Sequence, residues 1–306
     1  MTPTNSDGRV AGVACAAGAF ILWGVSPILW KAVSAVPPVE LLAHRVAWCA
    51  LLLTPILVAS GPRGALRAVL ARRRTRWSLL ASTALIAFNW FLFIYAVQTD
   101  RLMEASLGYY INPLVNVLLG TLFLGERLRR RQWIAVALAG IGVLVLTIGV
   151  GRPPWIALGL AFSFGFYGLV RKTIAASAVQ GVALETWFLA PIAVGTIGYL
   201  TFVAPDGTAA FGRVDALTHV LLVATGGITA VPLILFGLGA RRLDYSTVGI
   251  LQYFAPTLQF LLAALAYGEP FGTPRRIAFL FIWTAVALYC HDALAQWRRS
   301  RSDTSA

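Results

Sequence analysis

Three titratable side chains, Glu40, His44 and Arg45, lie at the start of an otherwise apolar run of the sequence. At 3.6 residues per helical turn, Glu40 and His44 share one face and Arg45 points about 100° away from His44. We interpret Arg45 as a cation that holds an anionic group of a substrate or that separates from Glu40 during gating. The competing interpretation is a structural ion pair that closes one end of a helix bundle. Glu40 and His44 are accordingly gating or ion-pair candidates.

Further candidates share one property, which is polarity inside apolar runs of the chain. They are Asn89, Trp90, Tyr110, Asn112, Glu185, Gln252 and Tyr253. The amides, the phenols and the indole are hydrogen-bonding groups for a substrate, and Glu185 could carry a proton. Glu185 could instead stabilise the N-terminus of a helix. A charge near the centre of a bilayer costs at least about 2.5–3.5 kcal/mol, so such groups are expected to face the interior of a bundle.

The composition and the lengths of the apolar runs indicate which structural elements position these residues. Of 306 residues, 58% are hydrophobic and 12% are charged. In soluble domains about 45–50% of residues are apolar and about 25% are charged. This argues against a soluble enzyme and a disordered chain. Ten apolar runs have lengths suited to membrane helices, near residues 10–30, 39–59, 78–98, 105–124, 133–149, 154–170, 182–203, 217–239, 246–267 and 277–296. The predicted fold class is therefore an all-α polytopic membrane protein with ten transmembrane helices.

The basic residues indicate an orientation for these spans. If the N-terminus is cytoplasmic, 18 of the 25 Lys and Arg residues fall in inner segments and six in outer segments, which leaves Arg45 inside a span. Short cytoplasmic loops carry such an excess of cations in membrane proteins. We therefore expect both termini in the cytoplasm. The formal charge of +13 then reflects topology, and no nucleic-acid partner is expected.

An internal repeat divides the chain into two halves. Four residue types recur 143 positions later in the chain. The first set is Tyr110, Pro113, Gly125 and Glu126, and the second set is Tyr253, Pro256, Gly268 and Glu269. Because each half holds five spans, the second copy is inverted, as in many secondary transporters. The predicted units are residues 10–149 and 154–296, with tails at 1–9 and 297–306. Pro113 and Pro256 are predicted helix breaks beside a central site, or packing kinks. Duplication without transport is the alternative.

Several motifs are missing from the sequence. It contains no GxxxxGK[ST], HExxH or GxSxG pattern, and its three cysteines form no CxxC pair. We therefore expect no cofactor, no metal site and no catalytic residues, so the chain is not predicted to be an enzyme.

Longer stretches resemble a known family. The segment EASLGYYINPLVN at 104–116, Gly125-Glu126-Arg127, Gln132-Trp133 and the segment at 166–172 resemble the RarD proteins. These belong to the EamA branch of the drug/metabolite transporter superfamily, and the similarity extends over about residues 8–299. It implies two inverted five-helix EamA repeats in the inner membrane of bacteria and, by name, a link to chloramphenicol resistance. Pro270 departs from the family pattern after the second Gly-Glu pair.

These observations predict a secondary transporter, or permease, of small organic molecules, with export as the favoured direction. The expected partners are a small-molecule substrate, membrane lipid, and a proton or another coupling ion; a homodimer stays open. An uncoupled facilitator of the same fold is the first alternative. A lipid-modifying membrane enzyme with Glu40 and His44 as an acid–base pair, and a non-transporting membrane scaffold, are less favoured.

Overall fold

The chain folds into helices connected by short segments. The computed structural model describes residues 6–59, 71–125, 128–171, 178–204, 209–240, 242–243 and 245–304, and these contain no β-strand. The helices are α1 Ser6–Val25, α2 Pro27–Ala32, α3 Pro38–Ala59, α4 Arg73–Gln98, α5 Leu102–Leu124, α6 Arg130–Val150, α7 Trp155–Arg171, α8 Ala178–Phe202, α9 Ala216–Ala240, α10 Tyr245–Leu251, α11 Phe254–Leu261 and α12 Thr273–Thr304. The repeated Glu126 lies outside the described residues.

Within the part of the chain that the structure describes, six helical segments are long and apolar enough to cross a membrane by length and composition. They are Val10–Ala32, Arg73–Gln98, Leu102–Leu124, Arg130–Val150, Gln180–Phe202 and Ala216–Ala240. Two shorter helical segments are also apolar. They are Trp155–Arg171 and Phe254–Ala266, the second of which is α11 continued by a π-helical turn at Leu262–Ala266. The all-helical fold class is thus confirmed for the described residues, whereas the count of ten spans and their inversion stay predictions.

The two repeated prolines have different local structures. Pro113 lies inside α5, which is helical from Leu102 to Leu124, so the helix break predicted at Pro113 is not observed. The chain does leave the helix at Gln252 and Tyr253, between α10 and α11. Pro256 is the third residue of α11, where the N–H that proline lacks has no partner within the helix. The break therefore precedes Pro256 and occurs in one copy of the repeat.

The helices of residues 6–150 pack mainly against those of residues 155–304. Helix α1 contacts α9 and α11, α3 contacts α8 and α9, α4 and α5 contact α7, and α6 contacts α12. We call this contact region the half interface. Each of these helices is therefore covered by at least one helix from the other part of the chain.

Glycines allow the closest of these helix contacts. A Cβ atom on Gly226 of α9 would lie 2.6 Å from the carbonyl carbon and the Cβ of Trp48 in α3. A Cβ on Gly108 of α5 would lie 2.6 Å from the carbonyl oxygen of Ala157 in α7. Small residues at such positions let membrane helices approach closely, which is the main source of van der Waals packing between them. Gly226 thereby fixes the backbone of α3 one turn beyond Arg45.

Replacement of Gly226 by alanine tests this contact. Gly226→Ala should lower the thermal stability of the purified protein by several degrees, because overpacking costs about 1–3 kcal/mol. The control is Gly227→Ala, since a Cβ on the neighbouring Gly227 meets no atom within 4 Å. Gly227→Ala should leave the melting temperature unchanged or raise it, because alanine favours helix. Equal melting temperatures for the two variants would contradict the proposed close approach.

Candidate functional site

Arg45 lies in α3, seven residues after its first residue, and is 6% exposed. Its Cζ atom is 4.3 Å from the ring centroid of Trp90 in α4 and 5.0 Å from that of Trp30 in α2. Helices α2 and α4 therefore both present an indole ring to the guanidinium of α3. Cation–π contacts of this kind contribute about 0.5–2 kcal/mol each.

The guanidinium has unused hydrogen-bond donors. Its Nε and Nη1 atoms are buried without a hydrogen-bond partner, and no carboxylate of the described chain lies within 4.0 Å. A buried charge normally requires a paired charge and hydrogen bonds. The two indole rings offset part of the burial cost but leave these N–H groups unsatisfied. Arg45 is therefore not part of the structural ion pair with Glu40 that the sequence left open.

Glu40 is instead bound to the connection between α8 and α9. Its Oε2 accepts a hydrogen bond from the backbone N–H of Ala210 at 3.0 Å, and its Oε1 accepts one from Phe211 at 2.9 Å. The Nε2 atom of His44 lies 3.8 Å from Oε1, and its ring centroid is 4.8 Å from that of Phe211. Glu40 and His44 thus hold a connecting segment over the first turn of α3.

Two more glutamates make equivalent contacts at this end of the bundle. Glu269 accepts hydrogen bonds from the N–H groups of Leu102 at 2.7 Å and Met103 at 2.9 Å. Glu104 accepts one from Ile156 at 3.0 Å. Each carboxylate binds free N–H groups at the start of a helix from the other half of the chain, where the helix dipole favours negative charge.

We call the end of the bundle that holds Glu40, Glu104 and Glu269 the carboxylate end. Burial raises the pKa of Glu269, and its two backbone N–H bonds oppose this change. Sequence reasoning assigned no role to Glu104 or Glu269. In the sequence, Glu269 stands out only as part of the repeated motif, and Glu104 only as part of the segment that resembles the family. A glutamate that caps a helix distant in the sequence leaves no local pattern of spacing.

The repeated tyrosines meet across the half interface. The rings of Tyr110 and Tyr253 stack with a centroid separation of 6.1 Å and an interplanar angle of 19°. The hydroxyl groups of Tyr110 and Thr257 are 2.8 Å apart. Gln252 is partly exposed at the break before α11. Asn112, 6% exposed, has a buried Oδ1 without a hydrogen-bond partner.

Asn89 has a different environment from its neighbour Trp90. Its amide nitrogen donates to the carbonyl oxygen of Leu160 at 3.0 Å and to the hydroxyl of Ser163 at 2.9 Å. These bonds occupy both amide hydrogens and connect α4 to α7. The structure therefore places Asn89 in a helix contact and Trp90 against Arg45.

Glu185 is completely buried in α8, away from the carboxylate end. Its Oε1 accepts a hydrogen bond from Ser82 at 2.6 Å, and its Oε2 accepts one from the Tyr167 hydroxyl at 3.1 Å. The Nε atom of Arg171 is 3.9 Å from Oε1. This cluster connects α4, α7 and α8, and it is separate from the indoles around Arg45.

Trp30 was not among the predicted site residues, because the sequence favoured an aromatic belt over a cavity lining for the tryptophans of the apolar runs. The side chain is 1% exposed, and its Nε1 lacks a hydrogen-bond partner. Among the described residues, no group of three His, Cys, Asp or Glu side chains could hold a metal ion. The arrangement around Arg45 is suited to binding an anion between helices.

Comparisons with known proteins give the family context. Residues 10–148 match the EamA-like transporter family. Protein RarD of Escherichia coli is 45% identical over 94% of this chain and 97% of its own length. An uncharacterized transporter of Vibrio cholerae is 44% identical over 98% of both chains. The chloramphenicol-sensitive protein RarD of Pseudomonas aeruginosa is 32% identical over 94% of this chain and 96% of its own.

A solved crystal structure extends the comparison to the fold. It aligns with a TM-score of 0.59 and 21% identity over 92% of this chain and 97% of that chain. At this identity the alignment shows a shared fold alone. The apolar helices and the transporter relatives together describe a multi-pass membrane protein. The chain belongs to the EamA-like transporter family, in its RarD group.

Proposed function

We propose that the protein is a secondary transporter that exports small organic molecules by alternating access. The observation that carries this proposal is Arg45, a buried cation between the indoles of α2 and α4 whose Nε and Nη1 have no partner among the described residues. Polar residues that are costly inside a membrane protein usually mark a substrate pathway. The substrate reaches this site when the contacts at one end of the bundle open. It leaves the site when the contacts at the other end open.

The proposed architecture is ten spans in two inverted repeats, residues 10–149 and 154–296, in the inner membrane. The repeat at an offset of 143 supports it, as does the contact between the equivalent residues Tyr110 and Tyr253. The excess of basic residues in the predicted inner segments supports cytoplasmic termini. In this orientation the carboxylate end faces outward.

The carboxylate end is the proposed outer gate. Glu40, Glu104 and Glu269 hold helix starts and a connecting segment of the opposite half. Opening of this gate requires the hydrogen bonds of all three carboxylates to break. Each of them connects the two halves of the chain, which must separate at this end. A molecule that has bound at Arg45 from the cytoplasm would leave outward through this gate, which is why we favour export.

Glu185 is the proposed site of proton coupling. A carboxyl group that is fully buried among Ser82 and Tyr167 hydroxyls can be charged or neutral, and such groups form proton relays in transporters. The nearby Arg171 favours a second candidate, an uncoupled facilitator in which Glu185 is a permanent ion-pair partner. The engagement of Glu40 by two backbone N–H groups disfavours an acid–base role in a lipid-modifying enzyme.

Labelling of Cys49 tests alternating access. Cys49 is fully buried one turn beyond Arg45, and it would be the only thiol in a Cys15→Ala, Cys290→Ala background. A membrane-impermeant maleimide added outside should label it slowly. Adding Glu40→Gln and Glu269→Gln should speed labelling at least about tenfold, because charge-assisted hydrogen bonds contribute about 1.5–3 kcal/mol each.

The matched control for this experiment is Asp100→Asn. Asp100 is exposed at the same end and pairs with Lys31, so its replacement should leave the labelling rate unchanged. Equal labelling rates with and without the two Glu→Gln changes would contradict the gate. Rapid labelling from both sides of the membrane at once would contradict alternating access.

Replacement of Glu185 separates coupled from uncoupled transport. A ligand that raises the melting temperature of the purified protein supplies the substrate for proteoliposome assays. Glu185→Gln should retain exchange of labelled for unlabelled substrate and lose accumulation driven by a pH gradient, since glutamine binds no proton. Asp100→Asn should retain both activities. Accumulation by Glu185→Gln at the wild-type level would exclude Glu185 as the coupling group.

A further inference from the structure

The substrate class follows from the donors around Arg45. Three buried N–H-bearing atoms have no acceptor: Nε and Nη1 of Arg45 and Nε1 of Trp30. The two side chains are in contact, because the Arg45 Cζ lies 5.0 Å from the centroid of the Trp30 ring. Buried donors in native proteins are almost always paired. A group of unpaired donors around a positive charge is the complement of an anion with at least two acceptor oxygens.

We infer that this cluster binds the carboxylate or sulfonate of an organic anion whose flat apolar body lies against the neighbouring aromatic rings. The inference deepens the proposed function and rests on it for the claim that the anion is transported. A planar guanidinium matches the paired oxygens of such groups. One guanidinium balances one negative charge, so a monoanion is expected.

The walls of the cluster favour an organic anion over an inorganic one. The ring centroid of Trp90 lies 4.3 Å from Cζ of Arg45, and that of Trp30 lies 5.0 Å from it. Aromatic surfaces attract flat apolar groups, whereas a small hydrated ion gains little from them. Organic cations are disfavoured, because the charge of Arg45 repels them.

Equilibrium binding to the purified full-length protein tests the inference with benzoate, benzenesulfonate, benzamide and chloride as probes. Benzamide matches benzoate in shape and lacks its charge. We expect both organic anions to bind at least tenfold more tightly than benzamide and chloride. This comparison needs no variant, so it does not depend on the folding of an altered chain. Equal affinity for benzoate and benzamide, or for benzoate and chloride, would overturn the inference.

Two substitutions then locate the site. Arg45→Gln should weaken benzoate binding at least tenfold without changing benzamide binding. Trp30→Phe, which keeps an aromatic ring and removes the N–H, should weaken it several-fold. Arg152→Gln is the matched control, because it removes one exposed cation elsewhere and should leave both affinities unchanged. Unaltered benzoate binding in Arg45→Gln would overturn the assignment.

Exchange of labelled benzenesulfonate in proteoliposomes distinguishes a failed site from a failed transport function. This probe is permanently charged, so passive crossing of lipid is negligible. Binding that depends on Arg45 without exchange would support the anion site and contradict the transport proposal. Exchange of a neutral or cationic ligand that persists in Arg45→Gln would support transport and overturn the anion site.

Discussion

The burial of the Arg45 guanidinium without a carboxylate partner among the described residues is the constraint on which the proposed function depends. Two indoles hold the charge by their ring faces, and they come from α2 and α4, on either side of α3 in the sequence. Such contacts keep a cation in place while leaving its hydrogen-bond donors unused. A carboxylate of the protein would have accepted hydrogen bonds from those donors. Because they are unpaired, we infer that the acceptor is a substrate that binds and dissociates.

Packing between the halves makes this state compatible with a stable fold. The first half of the chain is covered largely by the second, and glycines such as Gly108 and Gly226 bring backbones of opposite halves into contact. At the carboxylate end, each glutamate binds backbone N–H groups of the other half. Further polar contacts between the halves lie inside the bundle, such as those of Asn89 with Ser163 and of Tyr110 with Thr257.

The sequence predicted the helical class and most helix positions, because long apolar runs in lipid have one backbone solution. It also proposed Arg45, Trp90 and Tyr110 as site residues from polarity at membrane depth, and all three are buried in the structure. It did not predict that Glu40 binds Ala210 and Phe211, nor that Asn89 connects α4 to α7, since partners more than 70 residues away leave no spacing pattern. The break before Pro256 and the continuous helix through Pro113 depend on tertiary packing, which the repeated proline did not reveal.

The central claim is that a substrate anion, and not a protein side chain, is the counter-ion of Arg45. An experimental density map of the full-length protein with bound benzenesulfonate tests it most directly. The account predicts sulfonate density within about 3 Å of the Arg45 guanidinium nitrogens, with the ring against Trp90. Density for the probe at another place, or a carboxylate of the protein paired with Arg45, would contradict the account.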